Sequence, residues 1–158
     1  MALLKGLNSY VTVAESDSYF ANRIDVAAWE AASGIQKEQA LVTATILLEA
    51  VLWCGVVVDD SQALAFPRNG YYFDPRLGKQ VSLADLGTPN RVLQACMETA
   101  YHLLNNDGLM DETGAVLDMQ VSGVSMTKIR NPSKMPGIAR TLIQPLLSSN
   151  ARNWWRAN

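Results

Sequence analysis

Residues 40–58 form a run of nineteen residues carrying a single charge, Glu49, and this run limits what the chain can fold into. Its length allows a membrane span. Against that stand the central Glu49, the hydroxyls of Thr43 and Thr45, and the absence of a flanking lysine or arginine cluster. Gly55, followed by Val56, Val57 and Val58, fits the end of a shorter helix and the start of an extended segment. The run therefore reads as the central buried helix of a soluble bundle, over about 36–54, with Leu41, Ala44, Leu48, Val51 and Leu52 on one stripe.

Other helices flank it. Thr12 and Glu15 have the spacing of a capping box, which predicts a helix over about 13–23. Asp25 is placed to cap a short helix around Trp29 that Gly34 would close. The clearest periodic segment is 89–105, where Val92, Leu93, Cys96, Met97, Ala100, Leu103 and Leu104 share a face behind Pro89. A last helix from about Pro136 meets Pro145, which must bend or end it. Between Gly55 and Gly87 the pattern breaks into turn residues and the aromatics Phe66, Tyr71, Tyr72 and Phe73, which reads as a long irregular loop. Residues 116–129 alternate about Ser122 and Gly123, as a hairpin would, with Val121 opposite Val124 and Met119 opposite Met126. The expected fold is mainly α: a small helical bundle with one β-hairpin and a long irregular loop. With 158 residues, one domain is expected over 1–149, followed by an arm at 150–158.

Little in the sequence points to catalysis. His102, the lone histidine, has no nucleophile or orienting carboxylate indicated beside it. Asp59 and Asp60 read as a solvated corner, and the glycines near Arg68 and Lys79 lack phosphate-loop spacing. Cys54 and Cys96 give neither a disulfide framework nor zinc spacing, which suggests a reducing compartment. The first residues are too short an apolar stretch for a secretory signal, so a cytosolic origin is expected. No enzyme activity, metal, cofactor or membrane association is expected.

Charge is more informative. Residues 1–118 hold all 15 acids and 7 of the 13 basic residues, a balance of −8, whereas 119–158 hold the other 6 basic residues and no acid. An acidic body and a basic tail can seek nucleic acid, an acidic protein surface, or the body of a neighbouring copy. Within the tail, Trp154 and Trp155 are flanked by Arg152 and Arg156, residue types that anchor interfaces and also stack on unpaired bases.

Over nearly its whole length the chain resembles a bacteriophage family. The residues that carry the likeness are Asn8 to Phe20, Ala28-Trp29, Lys37-Glu38-Gln39-Ala40-Leu41, Gln62 to Arg68, the helix after Pro89, and the segment at Val121. Members are labelled DnaT-like single-stranded-DNA-binding proteins and are similar to head-tail connector (adaptor) proteins. The resemblance implies a structural virion protein of the neck, assembled in the host bacterial cytoplasm. It would form a ring, dodecameric in such assemblies, beneath the portal protein. That ring would extend the channel through which double-stranded DNA passes without specific binding, and would dock the next tail or neck component. By position and chemistry, Arg152, Trp154, Trp155 and Arg156 become candidates for the portal arm. Phe66, Arg68, Tyr71, Tyr72, Ser122 and Gly123 become candidates for the oligomer or tail interface. The alternative is a single-stranded-DNA-binding, DnaT-like replication accessory protein. The sequence pI of about 5.3 favours the connector. A monomer or weak oligomer is expected in isolation, and a ring on the portal.

Overall fold

Side-chain caps set the helix starts. Thr12 accepts from the backbone N–H of Glu15, whose carboxylate returns the bond to Thr12, and α1 runs Val13–Phe20. Ser33 and Gln36 make a second capping box, which starts α3 (Gly34–Glu49). Gly34 thus opens this helix instead of closing the short α2 (Ala27–Ala31). Asp25 does not cap α2. It takes a left-handed backbone (φ 59°), and its carbonyl accepts from the Tyr101 hydroxyl at 2.7 Å.

A computed structural model describes residues 2–105, the paired strands within 115–121 and 124–130, and residues 135–148. After α3, the strands β1 (Val56–Val57), β2 (Arg68–Asn69), β3 (Tyr71–Asp74) and β4 (Lys79–Ser82) follow in order. Then come α4 (Asn90–Asn105), β5 (Ala115–Val121), β6 (Val124–Arg130) and α5 (Gly137–Ile143), which Pro145 converts into a single 3-10 turn, Gln144–Leu146. β5 and β6 pair antiparallel with Met119 opposite Met126 and Val121 opposite Val124, the register read from the alternation. Ser122 and Gly123 lie outside the described residues.

The core lies between α3, α4 and α5. Leu41, Ala44 and Leu48 of α3 are buried with Val92, Ala95, Cys96, Ala100 and Leu103 of α4 and Ala139 and Ile143 of α5. Small side chains at 44, 95, 96 and 100 let these helices approach closely. In front, Phe20 stacks on Trp29 at 4.8 Å, and the Trp29 indole N–H donates to Asp17, which also holds Lys37 at 2.9 Å. No helix among the described residues is long and apolar enough to cross a membrane.

The chain is a mixed α/β fold, with five helices and three two-stranded antiparallel sheets among the described residues. This overturns the expectation of a mainly α bundle with one hairpin and a long irregular loop. Residues 55–87 hold two of the three sheets. Their strands are only two to four residues long, and Asn69-Gly70 lies between two strand segments instead of at a hairpin turn. Gly70 (φ 140°) abuts Gly55 (φ 73°) there: a Cβ at Gly70 would lie 2.9 Å from the Gly55 Cα, and one at Gly55 would strike the Asn69 carbonyl oxygen. Two glycines are required so that the backbones can touch.

Leu48 and Leu52 fall on one stripe in the sequence, yet Leu48 is fully buried and Leu52 is 67% exposed past the helix end. Leu48→Ala should therefore cost about 2–5 kcal/mol in denaturant unfolding, and Leu52→Ala no more than about 0.5 kcal/mol. Similar costs for both would mean that α3 continues past Glu49.

Candidate interaction surface

Polar side chains, Tyr10 buried and Glu49 and Arg68 half-buried, brace the segment that carries the candidate residues. Glu49, at the end of α3, accepts from the Tyr10 hydroxyl and from the Ala65 backbone N–H at 2.9 Å. Burial, then the bond to Glu49, pushes the Tyr10 hydroxyl far above its ordinary pKa, so it stays a donor. Phe66 is buried beside them, edge-on to Trp53 at 5.0 Å and to Tyr10 at 6.4 Å. Arg68 places three nitrogens on main-chain carbonyls, those of Cys54 at 2.8 Å, Ala65 at 3.2 Å and Gly55 at 2.6 Å. A planar fork of donors matches such a cluster of carbonyls.

From Arg68 the chain runs through Asn69 and Gly70 into β3 as a ribbon. β1 pairs along its first half, Val57 opposite Arg68, and β4 along its second, Asp74 opposite Lys79. Side chains alternate across it. Tyr72 and Asp74 point inward and are buried, whereas Tyr71 and Phe73 point outward at 70% and 54% exposure. Val56 and Val58 continue this outer side at 65% and 52%. On the inner side a groove of about 770 Å³ separates β3 and β4 from the start of α4, lined by Tyr72, Asp74, Arg76, Val81, Asn90 and Arg91 among others. Asp74 accepts from the Tyr72 hydroxyl at 3.0 Å, the Arg76 N–H at 2.8 Å and Arg91 at 3.3 Å. Burial works against its charge, but these three donors outweigh it and hold its pKa below the ordinary 3.8.

Among the sequence candidates, then, Tyr71 alone of the aromatic segment's named residues is presented to solvent, Phe66 and Tyr72 are buried, and Arg68 is engaged with the backbone. Arg152, Trp154, Trp155 and Arg156 lie outside the described residues. The chain leading to them passes beside α3's end, where Ser148 donates to the Leu52 carbonyl and Leu147 pairs with Trp53. Sequence reasoning missed Phe73 as an outward residue, and missed Glu98 altogether. Glu98 is 3% exposed in α4 and accepts from the Tyr19 hydroxyl at 2.6 Å and from Arg23. Burial and this bond push Tyr19 up to about 12. Its partners lie 79 and 75 residues away in the chain, so no local spacing announces them.

Among the described residues no three His, Cys, Asp or Glu side chains gather to hold a metal. The Cys96 thiol is buried, which pushes its pKa up to about 11 and disfavours the reactive thiolate. The arrangement can present a shaped surface: an outer side where Val56, Tyr71 and Phe73 alternate with their cross-strand partners Asn69, Ser82 and Gln80, and an inner groove where Asp74 meets Arg91. The class it defines is a small mixed α/β protein with a braced surface ribbon. By sequence, the chain belongs to the family described as "Putative DnaT-like ssDNA binding protein", whose model matches residues 2–156. Comparison with curated proteins and with solved structures gives no match.

Glu49→Ala should cost about 1–3 kcal/mol, because it strands the Tyr10 hydroxyl and the Ala65 N–H, whereas exposed Glu30→Ala should stay within about 0.5 kcal/mol in the same denaturant titration. The depressed pKa of Asp74 makes its contribution to stability whole above 3.8 and lost as pH falls through the lower folded value. Asp74→Asn should therefore flatten the acid limb of a melting-temperature profile, and an unchanged limb would count against the three-donor cradle.

Proposed function

We propose that this chain is a structural subunit of a tailed-bacteriophage virion, a head-tail connector that forms a ring under the portal, extends the DNA channel and offers a platform to the next tail component. The observation that carries this reading is that the buried charged side chains act as braces. Glu98 and Asp74 each hold two elements together, and no buried side-chain nitrogen or oxygen among the described residues lacks a partner. Such a body offers rigidity and shape, not a poised acid, base or nucleophile. An acidic body with a basic tail suits a channel wall that DNA slides past, with contacts made by the tail. The portal is the proposed partner of Arg152, Trp154, Trp155 and Arg156.

A second reading, binding of single-stranded DNA, is favoured by the family description and by Tyr71 and Phe73, two outward aromatics on one strand that are able to stack on bases. Removing residues 150–158 separates the two. The connector reading expects loss of docking to the portal of the same phage with no DNA binding by either form. An anchoring tryptophan truncated at an interface commonly costs about 2 kcal/mol or more, roughly thirtyfold in affinity per contact. Trp154→Ala with Trp155→Ala should reproduce the loss without shortening the chain. Unchanged docking overturns the arm assignment, and salt-sensitive binding of oligothymidylate that disappears with the arm supports the second reading.

A further inference from the structure

Residues 1–118 hold 7 basic side chains, and most of them are engaged within the body. Lys5 pairs with Glu15, Arg23 with Glu98 and Lys37 with Asp17, and Arg68 is held by main-chain carbonyls. The others, Arg76, Lys79 and Arg91, gather around Asp74 at the inner groove. Arg76 and Arg91 line that groove, and Lys79 stands opposite Asp74 on the same side of the ribbon. Asp74 is buried, is the one acid among the lining residues, and already accepts from the Tyr72 hydroxyl and the Arg76 N–H as well as from Arg91. Arg76 and Lys79 are exposed, and neither side chain forms an ion pair among the described residues. Three cations around a single carboxylate make a positive site on a body whose balance is −8.

Beside the cations the groove is largely aliphatic. Leu77, Val81, Leu86, Leu93 and Leu142 line it, with Leu77 and Leu86 exposed. Its volume of about 770 Å³ falls within the range of about 300–1,000 Å³ in which ligand sites lie. An occupant must bring negative charge to the cations and apolar side chains to the leucines. A peptide in which acidic and aliphatic residues adjoin brings both, and its carboxylates suit the forked donors of arginine. Nucleic acid brings only the charge. Its bases would meet aliphatic side chains here, because Tyr72 is buried and the exposed rings of Tyr71 and Phe73 lie on the other side of the ribbon.

We propose that this groove receives a short segment of another protein in which acidic side chains stand next to aliphatic ones. The carboxylates lie on Arg76, Lys79 and Arg91, and the aliphatic side chains cover Leu77 and Leu86. The contact goes beyond the connector reading, which gives the arm at 150–158 a partner and the groove none.

Titration of the isotope-labelled full chain, followed by amide chemical shifts at low salt, tests this. The probe is an end-blocked octapeptide that alternates leucine with glutamate. Its controls alternate leucine with lysine and serine with glutamate, and oligothymidylate is titrated separately. The expected result is a set of shifts confined to the residues that line the groove, with the leucine–glutamate peptide bound about tenfold or more tighter than either control. Added salt weakens it. Arg76→Glu with Lys79→Glu, and separately Leu77→Ser with Leu86→Ser, should each weaken binding about tenfold or more while circular dichroism is unchanged. All four positions are exposed, and the shift map comes from the unaltered chain, so it stands even where a variant fails to fold. No binding at millimolar peptide, equal binding of the lysine control, shifts centred on Tyr71 and Phe73, or indifference to both double variants would overturn the proposal. So would oligothymidylate binding that Arg76→Glu with Lys79→Glu abolishes in a protein that ignores the peptide. None of these outcomes depends on docking to a portal or on the arm.

Discussion

The bond network of Glu49 is the constraint on which the rest of the structure depends. Its two carboxylate oxygens join three parts of the chain distant in sequence: the entry segment through Tyr10, the end of the central helix, and the loop through Ala65. In a run otherwise free of charge, a carboxylate at this point forbids continuing the helix through an apolar environment and requires donors to meet it. Tyr10 and the Ala65 N–H meet it, and Phe66 and Trp53 close over the site edge to face. With that corner fixed, Arg68 is held against the carbonyls of residues 54, 55 and 65, and the ribbon leaves in one direction only.

The legible parts of the fold were those whose causes lie close together in sequence. A capping box acts across three residues, so Thr12 and Glu15 marked the start of α1. The buried face of α4 repeats within sixteen residues, and the alternation in 115–130 sets a register directly. The ribbon was not legible, because its strands are too short to show a period and because Tyr71-Tyr72-Phe73 is aromatic on both sides while only Tyr72 is buried. Gly34 misled for a related reason. Glycine commonly follows a helix, but here Ser33 and Gln36 form a stronger local signal that begins one.

The candidate surface was legible to a smaller degree. Aromatic and arginine side chains clustered between Phe66 and Phe73 drew attention to the segment, but chemistry alone could not divide its inward members from its outward ones. Arg68 illustrates this: an arginine among aromatics reads as a contact for a partner, and its partners prove to be the chain's own carbonyls. Cys54 and Gly55 lie between the end of α3 at Glu49 and the start of β1 at Val56, outside any helix or strand ladder, and the guanidinium in reach donates to their carbonyls.

This division of labour also explains how a chain with an acidic body tolerates its buried carboxylates, Glu98 and Asp74 among the described residues. Glu98 sits inside α4, where an unpaired charge would be costly, but Arg23 and the Tyr19 hydroxyl reach it from α1 and the turn that follows. Arg23 in turn lies over the Tyr19 and Phe20 rings, at 5.6 and 5.8 Å from their centroids, so the cation that neutralises Glu98 is itself held by the aromatic layer. The aromatic part of the pattern recurs at the exposed Asp17, where Lys37 lies 5.0 Å from the Trp29 ring while bridging the carboxylate that the indole also contacts. At both places an aromatic ring and a carboxylate share one cation, which ties the first helix to α4 in one case and to α2 and α3 in the other. Each such pair withdraws one positive and one negative charge together, so the −8 balance of residues 1–118 is unchanged while both partners are fixed in place.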